Sequence, residues 1–463
     1  MAPSTSADVA PEAAIPTYVP RSESITESDP SEDVRFVQPA EEPLEEQPDN
    51  DKILAKFISG SHEASITSPG RVSYVAELSN LSMLVHGYNS PTSVVHYSGD
   101  LVKSNRLDES ELDILRRRGA LILPPREVCD DLVKAYFKWV APMVPIINRK
   151  RFMEQYRDPN NPPSLLLLQT IFLAACRVCP NGQLKDPSGI KPATTEFYKR
   201  AKALYEAHYE NDRVTIVQAL ILISVFREKA ERVHKNTFYW TGLAVSIAQG
   251  FGMHRNAEAS SLSMADKRLW KRIWWTLFTR DRSTAVVFGQ PVLINLESAD
   301  VEMVSEDDFL DDQFTSSRTS RLQAQFFVQY VKLCQVMDLV LLRNSTKESS
   351  THPQNAMDLT QSVMALTQWF QNCPEELKWQ RANHNFWAAQ LCGMYHTTIC
   401  LLHRSHLPSG QEREDVLIKD RRNYSACPLR RPIFQSAYAV TFIVESLVVH
   451  SELRFAHPFL YVP

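Results

Sequence analysis

Glycine is scarce in this 463-residue chain, at 13 residues, where average usage is about 7%. The shortage argues against a β-sandwich, a collagen-like repeat or a Gly-rich phosphate-cradling loop, and it favours helices. No cysteine precedes Cys129, and the eight present are spread thinly through apolar, helix-like contexts. That usage suits reduced thiols in an intracellular protein rather than a disulfide framework. The first residues lack the basic start and apolar run of a secretory signal. The longest apolar stretches singled out, Leu165–Cys176 and Ala219–Phe226, fall short of the roughly 20 residues that span a bilayer. A soluble protein with no membrane partner is the expectation. Basic residues are also missing where the chain begins: residues 1–51 hold 13 Asp and Glu against Arg21 and Arg35, a net of −11. The remainder carries +7, so the overall −4 joins an acidic segment to a mildly basic body.

The acidic segment also holds eight prolines and few large apolar groups, among them Ile25, Phe36, Val37 and Leu44. It buries too little surface to offset the entropy of ordering it, so residues 1–69 read as a disordered tail. Its apolar residues set among acids suit docking on a partner; a purely solvating tail is the competing reading. Residues 70–122 read as a lead-in segment. Helical periodicity dominates afterwards. Trp240, Leu243, Ala244, Ile247, Ala248 and Phe251 make one stripe, with Asn236 or Thr237 to cap its start and Gly250 and Gly252 to end it. Leu269, Trp270, Ile273, Trp274, Leu277 and Phe278 make another, as do Phe326 to Leu341 and Val214 to Val225, the last after the start signal Asn211-Asp212. The fold class expected is all-α: a helical body over 123–342, a polar loop or linker over 343–356, and C-terminal helices over 357–463.

Motifs for chemistry are few. The run Ser305-Glu-Asp-Asp-Phe-Leu-Asp-Asp312 places Asp307, Asp308 and Asp311 at the Asp-Asp-x-x-Asp spacing. Helical isoprenoid synthases use that spacing to hold Mg²⁺ against a diphosphate, through hard oxygen ligands. The second ligand set such a site needs is not found downstream. The competing reading is a solvated loop or a helix start, where acids complement the dipole. Cys176 and Cys179 form a lone Cys-x-x-Cys with no second pair to complete a zinc site, and core thiols are the alternative. His396 and His403 have no acidic ligand beside them, and no nucleophile elbow or nucleotide-binding loop occurs. Arg116-Arg-Arg118 and Arg149-Lys-Arg151 read as solvated helix ends, or as nuclear-import or phosphate contacts. No catalytic, cofactor-binding or metal-ligating residue is assigned, and the chain does not read as an enzyme. The Mg²⁺-dependent isoprenoid reading with Asp307, Asp308 and Asp311 is kept as the alternative.

Several segments together carry a resemblance. Gly70-Arg-Val-Ser-Tyr-Val-Ala-Glu-Leu-Ser-Asn80 opens it, followed by Tyr136-Phe137, Pro142, Pro145-Ile146 and Phe152. Ala201-Lys202, Gln218-Ala219-Leu220 and Ser224 continue it. The most specific pieces are Trp240 to Arg255, reading Trp-Thr-Gly-Leu-Ala-Val-Ser-Ile-Ala-Gln-Gly-Phe-Gly-Met-His-Arg, and Arg268-Leu-Trp-Lys-Arg-Ile-Trp-Trp275. Asp281-Arg282 and Gly289-Gln-Pro291 follow, with Gln290 where most members have arginine. Over about residues 70–460 the chain resembles the fungal-specific transcription factor regulatory domain, the helical middle region of many fungal regulators, with a texture similar to the cutinase transcription factor group. The resemblance implies a nuclear transcriptional regulator, controlling a metabolic or secondary-metabolite gene set. It implies protein partners: a second copy, a full-length relative, or the transcription machinery. In the family, DNA is read by six cysteines holding two zinc ions among basic residues. That cluster is not present in this chain, whose opening is acidic and cysteine-free, so direct DNA binding by it is not expected and no cofactor is assigned. In the same frame Gly242 is expected to permit close helix approach, Gly252 to form a left-handed cap, and Asp281 with Arg282 to end an apolar helix.

Overall fold

The computed structural model describes residues 66, 68–74, 96–98, 107–181, 192–226, 237–311, 318–345, 352–405 and 430–456. All of them fall within one unit, Ile53–Pro463. The proposed acidic tail therefore lies outside the described residues apart from its last few positions, of which Ile66 and Pro69 are buried.

The two apolar runs too short for a membrane are the centre of the body. In helix α4 (Leu165–Cys176) every residue from Leu166 to Ala175 is buried, and in helix α6 (Arg213–Ile223) every residue from Val217 to Ile223 is. A helix apolar on all sides needs neighbours on all sides. They are supplied by α2 (Arg126–Ala135), α5 (Pro192–Glu206) and α7 (Thr237–Gly250), with α4 and α6 also packing on each other. The polar residues within these runs act as clamps. Gln169 donates to the carbonyls of Ala120 and Ile122 at 3.2 and 3.0 Å, holding the turn after α1 (Glu109–Arg117). Gln218 donates to Ile146 O at 2.6 Å, holding the proline turn ahead of α3 (Arg149–Arg157). Asp212 caps α6 by accepting from Thr215 N at 2.7 Å, as its position before the stripe predicts.

The long helix α8 (Met264–Phe288) joins this half to the next, packing on α7 and on α9 (Arg318–Ser345). Ser263 caps its start and Gly289, at φ 65°, ends it. Asp281 and Arg282, expected at a helix end, instead lie nearly two turns inside it. Thr284, Ala285, Val286 and Val287 extend the stripe, and the left-handed glycine is the first residue that stops it. Beyond α9 stand α10 (His352–Asn372), α11 (Phe386–Ser405) and α12 (Arg430–Val449). At the two ends of the stretch expected as a loop over 343–356, α9 runs to Ser345 and α10 starts at His352; residues 346–351 lie outside the described residues. Pro353 sits in the first turn, where a missing N–H costs no helical bond.

Two further differences are local. An antiparallel pair, β1 (Val72–Tyr74) and β2 (His96–Ser98), interrupts the all-helical expectation. It docks on the corner between α7 and α8, where His96 Nε2 lies 2.9 Å from Gly252 O and its ring meets Trp270 edge-on at 5.4 Å. Gly252 has φ 84°, and a Cβ there would sit 2.6 Å from Tyr74 Cδ2 and 2.7 Å from His96 Nε2. Both the cap and the ribbon therefore demand glycine. Gly242 makes no such demand, since a Cβ would meet only Leu293 Cδ1, at an ordinary 3.8 Å. The second difference is α12, which has the length and mean hydropathy, 1.5, of a membrane span by composition alone. Pro432, Gln435 and Glu445 interrupt its apolar letters. It lies along α11 through Ile443 and Leu447 and leaves Phe434, Tyr438, Val448 and Val449 exposed.

Candidate functional site

The acidic run folds into a capped turn. Residues Glu306–Phe309 form a 3₁₀ helix in which Asp308 accepts from Ser305 N at 2.8 Å, one half of a capping box. Lys271 Nζ lies 3.4 Å from the same carboxylate. Asp311 accepts two bonds from Arg268, both 3.0 Å, and so pins the turn to α8. Asp307 is exposed at the edge of a groove. Asp308 and Asp311 thus serve different partners, and Asp307 faces the groove, so the three do not converge on one point. Among the described residues no group of three or more His, Cys, Asp or Glu is placed to hold a metal ion. The groove beside Asp307 has a volume of about 240 Å³. Its floor includes Phe137, Pro142 and Pro145 from the signature segment, with Phe309 and Leu310 from the turn. Its rim is mixed in charge: Arg149 and Arg321 stand with Glu306 and Asp307, and Arg321 pairs with Glu306 at 3.4 Å.

The most charged interior point is a clasp between α8 and α9. Arg282, 1% exposed, binds Asp281 and donates through Nη2 to Ile294 O at 2.6 Å. Asp338 of α9 lies 2.6 Å from its Nε, an ion pair outside hydrogen-bond alignment. Asp281 also accepts from the N–H groups of Leu293 and Ile294 at 3.0 Å. Burial pushes the Asp281 carboxyl above its ordinary range, and the bonds from Ile294 and Arg282 pull against that. The clasp holds the Leu293-Ile294 segment against α8 and ties α9 to it. Asp338 was not singled out in the sequence because it stands in an ordinary apolar helix stripe, 56 residues beyond Arg282.

The other candidates are packed residues. Cys176 and Cys179 close α4, and burial pushes the Cys176 thiol up to about 12. Among the described residues no further His, Cys, Asp or Glu joins them to complete a zinc site. His396 lies between α11 and α12, 3.3 Å from Ser436 Oγ, and burial drops it to about 4. Arg116 ends α1 bonded to Glu109 and Asp113 at 2.6 and 2.8 Å. The Arg149 to Arg151 cluster opens α3 rather than ending a helix. Arg149 stacks on Phe137 at 5.0 Å and Arg151 reaches Asp266 at 3.2 Å, contacts that outweigh the unfavourable dipole end.

The distinctive residues of this helical body are caps, clamps and one buried ion clasp. The chain belongs to the fungal-specific transcription factor domain family, whose sequence model matches residues 133–371. It is 52% identical over 409 residues to cutinase transcription factor 1 alpha of Fusarium vanettenii, covering 86% of this chain and 44% of that protein. It is 31% identical over 460 residues to the acetamidase regulatory protein of Aspergillus fumigatus, covering 97% of this chain and 57% of that protein. Cutinase transcription factor 1 beta of Fusarium vanettenii is 27% identical over 412 residues, covering 74% and 46%. The chain thus spans about half the length of these relatives. No solved structure is significantly similar to it. The family is one of transcription factors, not enzymes, and nothing in these likenesses supports the isoprenoid alternative.

Proposed function

We propose that this chain is the helical regulatory body of a fungal transcriptional regulator, acting in the nucleus on a metabolic or secondary-metabolite gene set. The observation that carries the reading is where the shared signature falls. Tyr136, Phe137, Trp240, Trp270, Trp274, Asp281 and Arg282 are all buried packing and clasp residues, so what the family keeps in common here is a shape. The relatives' names, a cutinase transcription factor and acetamidase regulators, support a role in switching metabolic genes. The body works by protein contact, with a second copy, a full-length relative or the transcription machinery as partner. It needs no cofactor of its own in this role. Some of its exposed arginines pair with acids, as at Arg116, Arg126 and Arg318. Two measurements test the reading. Tethered to an unrelated DNA-binding module in fungal cells, the chain changes reporter transcription several-fold; an unchanged reporter with the fusion present in the nucleus rejects the regulatory role. In an electrophoretic shift the purified chain leaves DNA unretarded, and tight sequence-specific retardation rejects the contact mechanism.

A further inference from the structure

Helix α12 carries a second stripe as regular as the one it buries. From Arg431, the exposed residues Phe434, Tyr438, Thr441, Glu445 and Val448 follow at steps of three and four. That alternation is the spacing of a seam between paired helices. The buried stripe, Ser436, Ile443 and Leu447, lies on α11, and at about 100° per residue the exposed seam falls on the opposite side of the helix. Single apolar residues on a surface are ordinary, whereas a row of them one turn apart marks a contact. Phe434 and Tyr438 are 61% and 65% exposed. Tyr438 packs edge-on against Phe442 at 4.4 Å, and Phe442 lies under the Arg381 guanidinium at 5.1 Å. The central ring of the seam is thus held in place before any partner arrives.

The charges on the seam complement one another. Arg431 and Glu445 stand two heptads apart, both exposed, and neither has an ion-pair partner among the described residues. The sign of Arg431 is not explained within the helix, because it occupies the first turn, where the dipole disfavours a cation. A closed pair of identical helices is related by a twofold axis. Set parallel, Arg431 faces Arg431 and Glu445 faces Glu445. Set antiparallel about a point between Tyr438 and Thr441, each Arg431 lies beside Val448 and within a turn of Glu445 of the other copy. Tyr438 then meets Thr441, and Phe434 covers the stem of Glu445.

We propose that α12 pairs antiparallel with α12 of a second copy of this chain, through the seam from Arg431 to Val448. The inference rests on the contact role proposed above and names its partner and its face. One face of a helix this long offers on the order of 300 Å² per copy, against about 800 Å² per partner in a stable complex. Pairing through it alone is therefore weak and reversible, with a Kd of roughly 10–100 µM.

The test is sedimentation velocity of the full 463-residue chain, from roughly tenfold below that Kd to tenfold above it. A reversible passage from monomer to dimer is expected, with no larger species. Tyr438→Glu weakens the dimer by at least about tenfold, because it gathers four carboxylates at the middle of the seam. Arg431→Glu alone and Glu445→Arg alone each weaken it roughly fivefold, and the two together restore it. Met364→Ser, at an exposed apolar residue of α10, leaves it unchanged. All these positions are exposed, so the variants keep the parent's fold, which an unaltered urea midpoint at low concentration verifies. A chain that stays monomeric throughout overturns the proposal. So does a dimer indifferent to Tyr438→Glu, one that the charge swap fails to restore, or one equally weakened by Met364→Ser. A monomeric chain that floats with phosphatidylcholine vesicles, and loses this with Tyr438→Glu, assigns the seam to a lipid surface and overturns it too. Failure here is separable from failure of the regulatory role: a monomeric chain that still changes the reporter loses only the pairing, and a dimer that leaves the reporter unchanged loses only the regulation.

Discussion

Arg282 ties two helices together from the interior. It is fully buried, it stacks on Phe278 at 4.5 Å, and it holds two aspartates from two helices. Such a group is stable only as a set, since removing one member leaves uncompensated charge in a poorly solvating interior. Arg282→Met is therefore expected to destabilise the folded chain by about 3–5 kcal/mol, read as a lower urea midpoint. Adding Asp338→Asn to it recovers part of the loss, because the second change removes a stranded carboxylate. Additive losses in the double variant contradict the clasp. The pair Asp281-Arg282 was visible in the sequence, but its third member was not. A lone Asp in a helix stripe has no local mark of burial.

Helix α12 shows how far composition misleads when it is read without neighbours. It has the hydropathy of a span, yet only one stripe, Ser436, Ile443 and Leu447, is buried, and that stripe lies on α11. Leu447 is 0% and Val448 54% exposed, adjacent residues about 100° apart round the helix. Leu447→Ala is expected to cost about 2–5 kcal/mol, while Val448→Ala stays within about 0.5 kcal/mol, both measured by chemical denaturation. Equal costs mean that α12 does not lie on α11 as described. For α4 and α6, by contrast, the apolar letters were a true guide. Each is buried on every side, and the polar letters that broke the runs, Gln169 and Gln218, are the clamps on the neighbouring turns.

For the chain as a unit, acid sensitivity follows from its buried histidines. Burial lowers His96, His254 and His396, the last to about 4. A histidine held below its unfolded value of about 6.5 favours the fold only while neutral. Its contribution is present above pH 6.5 and is lost as pH falls toward the folded value. For His396 the slope is about 1.4 kcal/mol per pH unit between roughly 6.5 and 4. Urea midpoints should fall from pH 7.5 to pH 5, and His396→Asn should flatten part of that fall. A midpoint independent of pH over this range removes the assignment.

Helix content, the caps at Asp212 and Ser263, the glycine stop at Gly252 and the absence of a reactive motif all follow from neighbours within a few residues. Local sequence decides them because backbone donors and apolar periodicity are satisfied within a turn or two. Distant contacts decided the rest. They turned Asp307, Asp308 and Asp311 from a would-be metal set into a capped and pinned turn, placed Asp338 against Arg282, and paired Val72–Tyr74 with His96–Ser98. Burial and charge pairing depend on what the rest of the chain brings alongside, and no spacing within a helix encodes that.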